Sequence, residues 1–383
     1  MNPAKRCLAV PAIVLLLLWP TPVFRAEALV IDGSGDDGFT AGVATHRALV
    51  MLTYFAGQTP PTGIDQTSIQ TLMFGSSVPS VSGYYRENSY GRFQLDGEVH
   101  GWYQLPIDST CAIRDLILTA VNALATSGAN VHFLDYQHFI VVAPYTNATC
   151  GDGASLIGAT PFLTPDGTVT GSRAVIRASA ATLYSLAHEL GHGLGLHHAG
   201  LLNCDLAVMT VSQCPVWEYG DHFDLMGGAY ETMGGHFDAL HKQQLGWLNE
   251  GDVLTAPVSG TYNLLPLESL SPGVKALNIS RGDGTVLSVE YRQPIGYDLS
   301  LDDPAVFSGA LLHISGDGGK TFLVDPTPPA YVRVNILRLG ASFTDLQSGV
   351  RLTTLDATPE KLTVRVDFPR TAKPLPIGGG RTL

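Results

Sequence analysis

The sequence predicts an α+β protein in which helices and strands mix in the first part of the chain and strands dominate the last part. Residues 113–125 and 181–194 repeat apolar side chains at helical spacing. Buried strands are indicated by short apolar runs at residues 47–55, 139–142 and 173–177. Beyond Trp247, short alternating runs are separated by Gly, Pro and Asp, which is typical of a β-sandwich.

Other segments complete this outline. Residues 67–85 are expected to be helical, residues 91–103 to form a strand or hairpin, and residues 209–219 to form a loop. The change in pattern after Trp247 divides the chain. We predict a first domain at residues 29–250, a β-rich domain at 251–370 and a flexible tail at 371–383.

The first 28 residues have the features of a secretory signal peptide. Lys5 and Arg6 precede an apolar run that is short for a membrane span, and Ala26-Glu27-Ala28 fits a cleavage site. A membrane anchor is the alternative. We expect an extracellular or periplasmic protein with no membrane span after signal removal.

Composition narrows the function further. The chain of 383 residues has a formal net charge of -12, whereas nucleic-acid binders carry basic patches. A nucleic-acid partner is therefore not expected. The acidic cluster from Asp32 to Asp37 could bind calcium, but this is unsupported, because Asp37 occupies the position where a calcium loop starting at Asp32 needs glycine.

Four cysteines remain after the signal peptide, and an even number suits disulfides in an oxidising compartment. Three connectivities are open. We favour Cys111 with Cys150 and Cys204 with Cys214, because short loops close at low entropic cost. None forms a Cys-x-x-Cys pair, so a cysteine metal site is not predicted.

The pattern HExxHxxGxxH at residues 188–198 carries the chemistry. His188 and His192 lie four residues apart, so a helix projects both imidazoles from one face towards a single zinc ion. Glu189 lies beside them and is placed to act as a general base on water. By chance the whole pattern occurs in about one chain of this length in a hundred thousand.

The third histidine needs a turn. A continuing helix would point His198 away from the metal, so the chain must bend back, and Gly195 can take the positive φ that such a bend requires. His198 then completes three protein ligands and leaves a position open for water, as in catalytic zinc sites. His197 is one residue short of the pattern and is read as a neighbour of the site.

This motif resembles that of the metzincins. The sequence around it is similar to that of the gametolysin family and, in part, to that of the immune inhibitor A metallopeptidases. Supporting segments are residues 85–93, 218–228, 237–247 and 290–294. The resemblance implies a metzincin-like catalytic domain, with a twisted mixed sheet and an active-site helix. It also implies that residues 173–177 form the exposed sheet edge on which substrate lies.

The resemblance further implies a methionine turn beneath the zinc. Met226 in Asp-Leu-Met-Gly-Gly fits best, and Met209 and Met233 are rivals. Asp221 and Asp224 either hold this turn or are solvated loop carboxylates. Tyr219 and Tyr230 flank the turn and either assist the oxyanion or only pack.

Three functions remain open. The first is a secreted zinc metalloendopeptidase that cleaves protein or peptide substrates, with one catalytic zinc ion held by His188, His192 and His198. The second is an inactive binding or adhesion protein with a structural zinc, which would not need Glu189. The third is zinc hydrolysis of a non-peptide bond, such as deacetylation. The oligomeric state is left open.

Overall fold

A six-stranded mixed sheet forms the first part of the fold. A computed structural model of the chain describes residues 43–76, 79–146, 150–202, 204, 214–228, 235–301, 303–326 and 335–369. The strands of this sheet are β1 (Ala44–Phe55), β2 (Phe93–Leu105), β3 (His138–Ala143), β4 (Gly153–Ser155), β5 (Thr160–Thr164) and β6 (Gly167–Arg177). Strands β2, β1, β3 and β6 run parallel in that order, and β4 and β5 pair antiparallel with β6.

Among the described residues, five α-helices accompany the strands: α1 (Gln66–Phe74), α2 (Val81–Asn88), α3 (Ile113–Thr126), α4 (Leu183–Gly193) and α5 (Ala239–Gln244). Helix α3 packs with Leu49 and Met51 on one face of the sheet, and α1, α2 and α4 pack with Val50 and Leu52 on the other. Both faces of β1 are therefore covered, which explains its unbroken apolar run.

The structure corrects one local prediction and decides another. The helix predicted at residues 67–85 is two helices, because the chain is extended at Gly75 and Ser80 starts α2 by accepting the Gly83 N–H. The sequence leaves residues 91–103 open between a strand and a hairpin, and the structure shows the strand: residues 93–103 belong to β2, which pairs in parallel with β1 with one register shift.

Two further sheets follow. One joins β7 (Ala199–Leu202), β8 (Val216–Trp217), β9 (Val253–Thr255), β11 (Ala276–Ser280), β12 (Val286–Tyr291), β13 (Gly309–Ser315), β14 (Thr321–Val324) and β15 (Leu337–Arg338). The other joins β10 (Gly260–Leu264), β16 (Ser342–Thr344), β17 (Arg351–Thr358) and β18 (Lys361–Asp367). Leu277 and Leu312 of the eight-stranded sheet share one buried cluster with Leu352 and Val364 of the four-stranded sheet.

The larger of these sheets takes strands from both sides of residue 250. Strand β7 follows His198 directly and pairs in parallel with β14. Strand β8, within the segment predicted as a loop, pairs with β7. The predicted domain division therefore does not separate the hydrogen-bonded sheets, although its role as a folding boundary stays a prediction.

Both favoured disulfides are present, between Cys111 and Cys150 and between Cys204 and Cys214. The predicted signal peptide and the tail at 371–383 lie outside the described residues. No helix in the described part of the chain has the length and apolar composition that crossing a membrane requires.

Candidate metal centre

Helix α4 presents the first two histidines and ends where the third one needs a turn. Thr182 starts the helix in a reciprocal capping box with Ser185. At the other end Gly195 has φ +100°, and the Leu196 N–H donates to Gly191 O at 3.0 Å. This is a Schellman turn, and it confirms that a glycine with positive φ reverses the chain before His198.

The three imidazoles of the motif converge. Ring centroids lie 4.8 Å apart for His188 and His192, 4.8 Å for His192 and His198, and 5.4 Å for His188 and His198. One ring nitrogen from each falls within 4.8 Å of the others, and the Nε2 atoms of His192 and His198 are 3.1 Å apart. The structure therefore brings together the three predicted ligands, and His197 does not belong to this group.

Each imidazole is oriented by an acceptor at its Nδ1. His188 faces Leu225 O at 2.9 Å, and His192 faces Leu196 O at 2.8 Å. A carbonyl oxygen can only accept, so the proton must be on Nδ1 and the Nε2 lone pair is free for a metal. His198 Nδ1 lies 2.9 Å from Glu218 Oε1, which has the same effect.

Burial keeps the same rings neutral. It lowers the pKa of His188 to about 3 and of His192 to about 4, and it also lowers the pKa of His198. Neutral imidazoles with free Nε2 atoms are what a zinc ion requires. Three nitrogen donors beside a cleft of about 1320 Å³ fit a zinc site with room for water or substrate.

Glu189 lies in the wall of that cleft. Its side chain is buried, and burial raises the pKa of its carboxyl to about 7. Its Oε2 makes no hydrogen bond within the described residues. Gly153 leaves room for the carboxylate, because a Cβ at that position would lie 2.7 Å from Glu189 Oε1. The carboxylate is thus held close to the histidines with a free proton-accepting oxygen.

Met226 lies directly against α4. It is fully buried, and a Cβ on Gly191 would lie 2.5 Å from its sulfur. Gly191 stands between the two helical histidines, so the thioether forms an apolar floor beneath them. The neighbouring Leu225 carbonyl is the acceptor for His188, which ties the turn to the candidate ligands.

Asp221 and Asp224 hold this turn from inside the protein. Both are fully buried, so the alternative of solvated carboxylates is wrong for each. Asp224 Oδ1 accepts the Met226 N–H at 2.6 Å, and Asp221 Oδ1 accepts the Phe223 N–H at 2.9 Å. The Asp221 carbonyl also accepts the Gly228 N–H at 2.5 Å. Met226 is therefore fixed by hydrogen bonds on both sides.

Of the two tyrosines, Tyr219 lines the cleft. Its ring centroid lies 4.0 Å from that of His198, and burial raises the pKa of its hydroxyl. Tyr230 lies outside the described residues, as do the rival methionines Met209 and Met233. Tyr219 therefore remains a candidate for contact with substrate.

The sheet edge nearest the site is not the predicted one. Residues 174–176 of β6 pair with β4, so β6 is covered and β4 is the edge strand of the first sheet. Strand β4 lines the cleft, and so do Phe322 of β14 in the eight-stranded sheet and Lys320 just before that strand. A short antiparallel strand such as β4 has almost no sequence signal, so the sequence does not predict that it covers β6.

Comparison with known proteins adds little. No family model and no curated protein matches the sequence. Metalloproteinase-II from Bacteroides fragilis matches with a TM-score of 0.28 and 15% identity, over 55% of each chain. A chain from a chaperone–substrate complex matches with a TM-score of 0.25 and 14% identity, over 45% of this chain and 28% of that one. The chain thus spans about half or less of these structures, and both TM-scores are too low to define a shared fold.

Proposed function

We propose that this chain is a secreted zinc metalloendopeptidase of the metzincin type, resembling the gametolysin family. One observation carries the proposal: the buried carboxylate of Glu189, whose Oε2 has no hydrogen-bond partner among the described residues, shares a cleft with three imidazoles that each place a ring nitrogen within 4.8 Å of the others. A structural zinc would not need that carboxylate. Two disulfides support an oxidising, extracellular or periplasmic location.

His188, His192 and His198 would hold the zinc. When bound, zinc polarises the peptide carbonyl and makes water a better acid. Glu189 accepts a proton from the attacking water and then donates it to the leaving nitrogen. Its burial suits proton uptake, because removal from water raises the pKa of the carboxyl.

The substrate would lie as an added strand along β4. This strand is the edge of the first sheet and lines the cleft beside Glu189, so its free main-chain groups can pair with an extended peptide. Tyr219 would face the substrate from across the cleft, beside His198. Protein and peptide substrates suit an open cleft of this kind.

The test is digestion of casein by the purified chain with one equivalent of zinc, with and without a chelator. Glu189→Gln is expected to lower kcat about 10²–10⁴-fold while zinc stays bound. Glu360→Gln changes an exposed carboxylate and is expected to leave both unchanged. Digestion that resists the chelator, or full activity in Glu189→Gln, would refute the proposal. A wild-type chain that binds zinc without cleaving would favour the structural-zinc alternative.

A further inference from the structure

A cluster of fully buried charged residues joins the methionine turn to strands β12 and β13 of the eight-stranded sheet. We call it the buried ion cluster, and its members are Asp221, Asp224, Asp238, His241, Glu290, Arg292, Asp298 and His313. Glu290 lies on β12 and His313 on β13, whereas Asp221 and Asp224 belong to the turn. The cluster therefore links the metal centre to strands that are remote in sequence.

Several contacts in the cluster cross between these elements. His313 Nε2 lies 2.9 Å from Asp221 Oδ2, and Glu290 Oε2 accepts the Ala239 N–H of α5 at 2.6 Å. Arg292 then donates to Glu290 at 2.7 Å and to Asp298 at 2.9 Å, which balances those two carboxylates. Among the described residues, no arginine forms an ion pair with Asp221. His313 is its cationic partner.

The pair between His313 and Asp221 continues as a path of hydrogen bonds to the first candidate ligand. Asp221 binds the N–H groups of Phe223 and Gly228 and so closes the turn. Leu225, inside that turn, presents the carbonyl that accepts from His188 Nδ1. A shift of Asp221 would therefore move the group that sets the orientation of His188.

His313 is held as a cation in this position. Burial alone lowers its pKa, but the carboxylates of Glu290, Asp238 and Asp221 raise the pKa of His313 to about 10. Its Nδ1 faces Glu290 Oε2 at 3.7 Å. Removing the imidazole would leave Asp221 as a buried carboxylate without its cation, which is strongly unfavourable.

We propose that His313 is a positioning residue for the zinc site, acting through Asp221 and the methionine turn on His188. The inference rests on the proposed zinc site but not on peptidase activity. It gives β13 of the eight-stranded sheet a role in the metal centre itself. His313 touches no substrate and no metal in this role.

The test compares His313→Leu, which removes the hydrogen bond and the charge, with His313→Gln, whose amide can still donate to Asp221. His132→Gln is the control, because His132 is exposed and remote. The readouts are the zinc dissociation constant by chelator competition, the visible spectrum of the cobalt-substituted protein, and kcat and KM on casein. Thermal unfolding monitors the fold.

His313→Leu is expected to weaken zinc binding about 10- to 100-fold, to alter the cobalt spectrum, and to lower kcat more than it changes KM. His313→Gln is expected to recover most of the zinc affinity and the native spectrum, and the control to match the wild type. An unchanged zinc affinity and cobalt spectrum in folded His313→Leu would overturn the proposal. If the Leu variant does not fold, His313→Gln decides: a native spectrum with a measurable partial loss of zinc affinity, which His132→Gln does not show, supports the role, and either wild-type affinity or a loss as large as that caused by Asp221→Leu overturns it.

The number of metal ions bound per chain tests the main alternative, which is that His313 is itself a metal ligand. Asp221, Asp238 and His313 are close enough to hold a metal themselves. A second bound equivalent in the wild type that is lost in His313→Gln would replace the ion-pair role with a metal site. Failure of the peptidase proposal can be distinguished from failure of this one. A chain that binds zinc but does not cleave casein still gives zinc affinities and cobalt spectra, and these test the role of His313.

Discussion

Replacing Gly153 by alanine tests the placement of the general base without touching it. A Cβ at this position would lie 2.7 Å from Glu189 Oε1, against 3.4 Å for ordinary contact, so the carboxylate has to retreat by about 0.7 Å. The backbone of Gly153 lies in β4 and does not have a positive φ, so alanine is tolerated by the strand itself. The perturbation is therefore confined to the carboxylate.

The size of the effect follows from this displacement. A misplacement of about 1 Å in a catalytic group costs about 10²-fold in rate, so a slightly smaller shift is expected to lower kcat/KM about 10- to 100-fold. This corresponds to about 1.4–2.7 kcal/mol of transition-state stabilisation. Zinc content and the melting temperature are expected to stay close to the wild type.

The assay is cleavage of a fluorogenic peptide, with zinc content and thermal unfolding measured on the same samples. Gly251→Ala is the matched control, since a Cβ there meets nothing within 4 Å and its φ is not positive. Full kcat/KM in Gly153→Ala would refute the placement of Glu189. Loss of zinc together with activity would show that Gly153 supports the metal rather than the base.

Three further perturbations have distinct expected results. Gly191→Ala places a Cβ 2.5 Å from the Met226 sulfur, so the turn must shift; we expect a destabilisation of about 1–3 kcal/mol in thermal unfolding and weaker zinc binding. Glu218→Ala removes the acceptor of His198 Nδ1; we expect a zinc dissociation constant about 10- to 100-fold higher, with little change in unfolding because the carboxylate is exposed. His313 has its pKa raised from 6.5 to about 10, so its contribution of up to about 5 kcal/mol is complete below pH 6.5 and is lost as pH rises towards 10. Chemical unfolding of wild type and His313→Leu across this range should therefore converge at high pH.

Each of these results has a contrary outcome. An unperturbed melting temperature in Gly191→Ala would mean that Met226 does not pack on α4. Unchanged zinc affinity in Glu218→Ala would remove the carboxylate from the support of His198. A stability difference for His313→Leu that grows with pH would show that the imidazole is not held as a cation.

The candidate ligands and the base could be read from the sequence because their placement is local. Helical rotation brings His188 and His192 to one face, and Glu189 follows from the same helix. Gly195 had to adopt positive φ for His198 to return, which is a property of a few adjacent residues. The disulfide pairs were also favoured from the sequence, through the lengths of the loops they close.

The sheet edge and the burial of the turn carboxylates could not be read in this way. Strand β4 is three residues long and has no alternating pattern, so nothing marked it as the cover of β6. Asp221 and Asp224 resemble solvated loop residues until the surrounding chain buries them. Their environment depends on α5 and β13, which are remote in sequence.

The sequence by itself determined the three imidazoles, the adjacent carboxylate and the turn between them, because a helix and one glycine place these groups without help from the rest of the chain. Only the tertiary structure decided what orients them. Two of the acceptors are main-chain carbonyls, which every residue has, so their choice leaves no trace in side-chain identity. The pairing of β14 with both β7 and β13 brings His313 to Asp221 of the turn, and such long-range pairing is set by the packing of the whole fold.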